Sequence, residues 1–236
     1  MNWLRRLCGR RPPLDPEQRQ VLEQYHAQPA IAPSSPLAAL RFVVADVETT
    51  GLDPHADRLI SIGAVDVIGG KIRLDSAFET VFRQPSASSG ANILIHGIDG
   101  TTQLAGQEPA TATLQFIGHV RRSPLAGFHA GFDRVMIDRA ARVAIGEAPS
   151  NIWLDLARLA PALFPGTGSM LDHSLDDWLE KFGIANHARH NALADALATA
   201  QLLQVVLAQA MAQGAATLAD LMRIEQEQRW LAQLNR

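Results

Sequence analysis

Residues Arg41–Val47 (RFVVADV) form an apolar, β-branched run, the pattern of a buried strand. Two more such runs follow, Arg58–Val67 (RLISIGAVDV) and Lys71–Phe82 (KIRLDSAFETVF), joined by Gly69-Gly70. Paired glycines supply the positive φ angles of a tight hairpin turn, so the sheet is expected to open with antiparallel strands. The pattern then changes. Helical spacing at Ala110–Arg121 and Asp133–Ile145 flanks a short strand at Leu125–Phe128, and Asn151–Leu154 reads as another strand. Further helices are expected at Asp155–Leu163, Ser174–Phe182, Asn191–Gln213 and Thr217–Gln233. The expected class is α/β: a mixed sheet begun by hairpin strands, extended by βα units and covered by helices on both faces.

Ahead of this region, Asp15 as N-cap and Pro16 at the first helical position predict a short helix over 14–27. Gln28–Pro36 (QPAIAPSSP), with three prolines and two serines, reads as a linker. The chain thus divides into an N-terminal extension (1–39), a main domain (40–210) and a C-terminal helix packed on it (211–236). Arg5, Arg6, Arg10 and Arg11 precede no apolar run, so this start is read as a solvated terminus and not as a secretory signal. Cys8 is the only cysteine, so no intramolecular disulfide forms, which fits a cytoplasmic setting. No stretch is expected to reach the roughly 20 apolar residues that span a bilayer. The net charge of -3 argues against a protein that wraps duplex nucleic acid through many phosphates. It permits an enzyme that handles a few nucleotides and carries a carboxylate cluster.

Three segments carry candidate chemistry. Asp46 and Glu48 lie two apart at the end of the first strand, so both carboxylates point to one side. Such a pair repels unless a cation sits between them, and a hard ion such as Mg²⁺ prefers oxygen ligands. Asp133, in GFHAGFD, opens a helix, where it also complements the helix dipole. Asp195 lies inside a long alanine-rich helix, with His190 five residues before it. Five helical positions turn by about 140°, so His190 is expected in the loop ahead of the helix, leaning back over Asp195. A neutral histidine there is a natural general base.

In this order and spacing, DVETTGL, GFD and H-x4-D resemble the DEDDh subgroup of 3′–5′ exonucleases, the family of the proofreading epsilon subunit of bacterial DNA polymerase III. The likeness runs from about Phe42 to Leu207. It implies a ribonuclease H-like fold and two Mg²⁺ (or Mn²⁺) ions held by Asp46, Glu48, Asp133 and Asp195, with His190 as base. It also implies substrate contacts at Thr49, Thr50 and Leu52 of the TTGL turn, at Phe132, and at His96 of the His96-Gly97-Ile98 segment. The implied partner is a nucleic acid 3′ end, that of single-stranded DNA, with a DNA polymerase subunit as a further partner and no membrane. Two positions depart from the family pattern. The middle motif has Phe128-His129-Ala130 where His-Asn-Ala is common, and Ala91 stands where the proofreading subunit tends to carry an acidic residue. An RNA-directed member, similar to oligoribonuclease or RNase T, and a catalytically silent binding module are the alternatives.

Overall fold

A computed structural model describes residues 13–165 and 173–234. Cys8 and the arginines at 5, 6, 10 and 11 lie outside the described residues.

Three antiparallel strands form first: β1 (Arg41–Thr49), β2 (Leu59–Ile68) and β3 (Lys71–Val81). Gly69 and Gly70, at φ 56° and 72°, make the β2–β3 turn. Two short helices follow, α2 (Gly90–His96) and α3 (Gly100–Ala105), with α1 (Pro16–Ala27) lying ahead of the sheet in the chain. Then come α4 (Pro109–Val120), β4 (Leu125–Gly127), α5 (Ala130–Ile145), β5 (Trp153–Asp155) and α6 (Leu156–Leu163). The chain continues through α7 (Leu175–Lys181), α8 (Ala192–Ala212) and α9 (Leu218–Leu234). The sheet order is β3-β2-β1-β4-β5, with β4 and β5 added parallel to β1.

Strand alternation sorts β1 into two faces. Phe42 and Val44, with Val65 and Val67 of β2, pack under Leu202, Leu203 and Val206 of α8, with α6, Trp178 and α9 completing that layer. Val43, Ala45 and Val47 face Phe116 and Val120 of α4 and Met136 and Ile137 of α5. Each such fully buried side chain contributes roughly 1.5–3 kcal/mol. Asp46 and Glu48 continue the first of these rows past its apolar end. The carboxylates therefore emerge on the face covered by α8.

The capping box at Asp15 and Gln18 starts α1. That helix docks Leu22 and Tyr25 on Ile117 and Ile145, and the Tyr25 hydroxyl donates to Asn151 at 2.9 Å. Helices α2 and α3 were not expected. They are too short to show a period, and only their caps, Ser89 and Asp99, mark them. Helix α5 begins at Ala130, three residues before the expected start. His129 caps it from the left-handed region (φ 57°) with no side-chain bond, so no capping residue announces the boundary. Helix α8 also corrects the expectation about apolar stretches. By length and composition its 21 residues would cross a bilayer. Here they form the central helix of the core, and Asp195 sits in their first turn.

Candidate active site

The end of β1 places Asp46 and Glu48 on the floor of a cleft of about 610 Å³. The first turn of α8 brings in Asp195, and carboxylate oxygens of these three residues lie within 4.8 Å of one another. Asp133 enters the same cleft from α5 and is 4% exposed. It stands outside that tight trio, yet its charge is felt by Asp46. Gly127 allows this approach: a Cβ there would touch the Asp133 carboxylate at 3.4 Å and the Ala45 carbonyl at 3.1 Å.

Helix α8 reaches the sheet through one glycine. Gly63 of β2 pairs with Asp46 across the strands, and the backbone of Ala192 and Leu193 rests directly on it. Asn191 caps α8, its side chain accepting from the Ala194 N–H at 3.0 Å. His190, at φ 63°, turns its own N–H back onto Asp195 Oδ2 at 3.0 Å. Its imidazole is exposed and lines the cleft. His190 thus lies in the loop ahead of the helix.

Crowded acids with little water around them hold their protons. Loss of hydration first, then the Asp195 charge, pushes Glu48 up to about 8. Asp133 also rises to about 8, chiefly through loss of hydration and then the Asp155 charge, against the pull of backbone N–H groups. Asp46 is raised well above the carboxylate range by lost hydration and by Asp133, Asp195 and Glu48. Such a donor set suits divalent cations, which favour the ionised form and relieve the repulsion.

These shifts predict a pH dependence. In the unfolded chain Glu48 loses its proton near its ordinary 4.5, while in the metal-free fold it holds the proton to about 8. Its stabilising contribution is therefore complete below about pH 4.5 and lost as pH rises through about 8. Metal-stripped protein is expected to lose on the order of 3 kcal/mol between pH 5 and 8.5, or roughly 6–12 °C in melting temperature. Glu48→Gln should flatten that slope, and a divalent cation bound by the carboxylates should erase it in the wild type. A melting temperature that stays level or climbs over this range in metal-stripped protein would contradict the account.

The turn after β1 supplies the cleft's rim. The Thr49 hydroxyl donates to the Gly51 carbonyl at 2.6 Å, and Leu52 stands 87% exposed at the mouth. Phe132 and Thr49 also line the cleft. Two expected contacts do not. The Thr50 hydroxyl donates to Asp57 at 2.8 Å and accepts from the Arg58 N–H at 2.9 Å, so it braces the turn from behind. His96 is 3% exposed and off the cleft wall. Its Nδ1 accepts from the Ile98 N–H at 2.9 Å, so the proton sits on Nε2, which donates to Asn92 at 2.9 Å.

In place of His96, Asn92 and Ile95 of α2 face the cleft. Asn92 also donates to the Thr49 carbonyl at 3.1 Å, tying α2 to the β1 turn. Sequence reasoning missed both residues because it missed α2. The nearest signal was Asn92, four residues before the His-Gly-Ile segment. Asn186 was also missed; its side-chain amide donates to Asp195. His129, which stands where the family commonly has Asn, acts through its backbone, its N–H donating to Asp155 at 2.9 Å.

The sequence model of the family described as Exonuclease matches residues 43–203, a span that holds all four carboxylates and His190. The chain belongs to this exonuclease family. Over 207 residues it is 31% identical to a DNA polymerase III subunit epsilon-like protein of Rhodobacter capsulatus, covering 85% of this chain and 29% of that protein. It is 32% identical to the PolC-type DNA polymerase III of Thermotoga maritima over 161 residues, or 68% of this chain and 11% of that one. It therefore spans less than a third of these two curated relatives. It is also 28% identical over 175 residues to the DNA polymerase III epsilon subunit of Rickettsia typhi, 70% of this chain and 73% of that protein. Among solved structures, Escherichia coli exonuclease I with a dT13 oligonucleotide superposes at a TM-score of 0.62 and 18% identity, covering 74% of this chain and 42% of that one. Exonuclease X with a 5′ overhanging duplex superposes at 0.57 and 24% identity, covering 78% and 99%. The fold of this chain is thus the mixed, ribonuclease H-like α/β plan.

Proposed function

We propose that this protein is a metal-dependent 3′–5′ exonuclease that releases nucleoside 5′-monophosphates from the 3′ end of single-stranded DNA. The observation that carries the reading is the convergence of Asp46, Glu48 and Asp195 within 4.8 Å, in a cleft that Asp133 and His190 also line. Family membership supports the reaction type. The names of the relatives, and the oligonucleotide in exonuclease I, favour DNA over RNA.

Asp46, Glu48, Asp133 and Asp195 would hold two Mg²⁺ (or Mn²⁺) ions, since four carboxylates balance two divalent charges. When bound, the ions supply the Lewis acidity that activates water and stabilises the departing oxygen. His190 takes the proton of the attacking water. The bond from phosphorus to the 3′ oxygen breaks, leaving a free 3′ hydroxyl on the shortened strand. Leu52, Ile95 and Phe132 offer an apolar surface to the terminal base, a mode of holding that tolerates any base sequence. Asn92 fixes the turn beneath it through the Thr49 carbonyl. A polymerase-associated role fits the named relatives.

The test uses a 5′-labelled single strand with Mg²⁺. A ladder of products shortened from the 3′ end is expected, with no cutting in EDTA and protection by a blocked 3′ terminus. Cleavage of a closed circular strand as fast as a linear one would replace this reading with an endonuclease. Faster decay of RNA than of DNA would reassign the substrate.

A further inference from the structure

An ionised carboxylate in a half-closed cleft needs a positive partner. In this structure one side chain supplies it. Arg189, half-buried, places Nη1 2.6 Å from Asp195 Oδ1, and its Nε lies 2.7 Å from Asp176 Oδ1 on α7. The Asn186 amide donates to the same Asp195 oxygen, and the His190 N–H donates to the other. A carboxylate oxygen has two lone pairs, and both of those on Oδ1 are engaged. A divalent cation sharing that oxygen would also face a guanidinium across a very short gap. Asp176, exposed on α7, lies outside the acidic trio, so its contact with Arg189 does not compete with a cation there.

We propose that Arg189 is a built-in counter-ion of the metal-free site, tethered by Asp176, and that metal binding requires its release from Asp195. Arg189 is thus a positioning residue: it keeps the first turn of α8 and the 186–190 segment assembled until the metal arrives. Its removal leaves a more negative site with no cation competing for Asp195. The inference rests on the metal-site reading above.

The experiment is calorimetric titration of metal-stripped protein with Mn²⁺, comparing wild type with Arg189→Gln. The variant should bind Mn²⁺ about ten-fold more tightly, the size expected when one partly buried ion pair no longer competes. It should also melt lower than wild type in chelator and gain more on Mn²⁺ addition. Equal or weaker Mn²⁺ binding by a folded Arg189→Gln would overturn the proposal while leaving the metal site standing. A wild type that binds no Mn²⁺ would sink the metal site and the proposal together. If the variant does not fold, the wild type still decides. Its Arg189 Nη–Hη NMR signal, assigned by its disappearance in Arg189→Lys, should move as Mg²⁺ is added, because Nη1 is the atom that leaves Asp195. A signal that stays in place would overturn the proposal.

Discussion

Gly63→Ala is expected to lower the melting temperature by roughly 6–12 °C and to abolish metal binding, although none of the proposed ligands is touched. A Cβ at Gly63 would lie 2.2 Å from the Leu193 nitrogen and 2.3 Å from the Ala192 carbonyl carbon. Both neighbours are backbone, so no side chain can rotate aside. Helix α8 would have to lift, and with it Asp195, away from Asp46 on the strand paired with Gly63. Overpacking typically costs about 1–3 kcal/mol. A backbone clash belongs at the upper end, and roughly 3 kcal/mol corresponds to that fall in a chain of this size. Gly131→Ala is the control. It lies in α5 beside the same cleft, but a Cβ there meets nothing within 4 Å. Its stability should be unchanged or slightly higher, as helix propensity favours alanine. Thermal melts with and without Mn²⁺ check both. Unchanged metal binding in Gly63→Ala would show that contact with this strand does not set the position of Asp195.

Replacing His190 is expected to cut turnover by about 10²–10⁴-fold, the usual contribution of a general base. Metal affinity should stay near wild type, because the imidazole lies outside the carboxylate trio. His190 adopts φ 63°, a region that histidine and asparagine tolerate better than most residues. His190→Asn therefore separates lost chemistry from backbone strain, and His190→Ala shows both. His187→Ala should stay within a few-fold of wild type, since that exposed side chain does not line the cleft. His129→Ala should act mainly on stability, because the left-handed turn at φ 57° starts α5 and its N–H is bonded to Asp155. Single-turnover rates at saturating Mg²⁺ would settle the assignment. Near-wild-type turnover in His190→Asn, with a large loss in His187→Ala, would move the base to the other histidine.

Where an element is long enough to repeat its pattern, the sequence shows it directly. The apolar runs of β1 to β3, the Gly69-Gly70 turn and the alanine-leucine spacing of α8 each carry a period that the local backbone must obey. The positions of Asp46, Glu48, Asp133, His190 and Asp195 could be read for a related reason: each sits at the end, in the first turn or just ahead of such an element, at a spacing shared with a known family. Helices α2 and α3 span at most seven residues, too few for a period, so Asn92 and Ile95 went unseen.

The sequence by itself thus determined which strands and long helices form and which acidic residues end up at their termini, because periodicity and capping act over a few neighbouring residues. The tertiary structure alone decided how those termini meet and which way their neighbours turn. Thr50 and His96 carry the right groups, yet hydrogen bonds to Asp57, Arg58, Ile98 and Asn92 turn them off the cleft. Gly63 looks like any small residue in a strand until α8 lies against it. Arg189 becomes a counter-ion only where α7 and α8 bring Asp176 and Asp195 to either side of it. Each of these outcomes depends on a contact between elements, and no local pattern in the chain encodes the distance between two surfaces that meet only after folding.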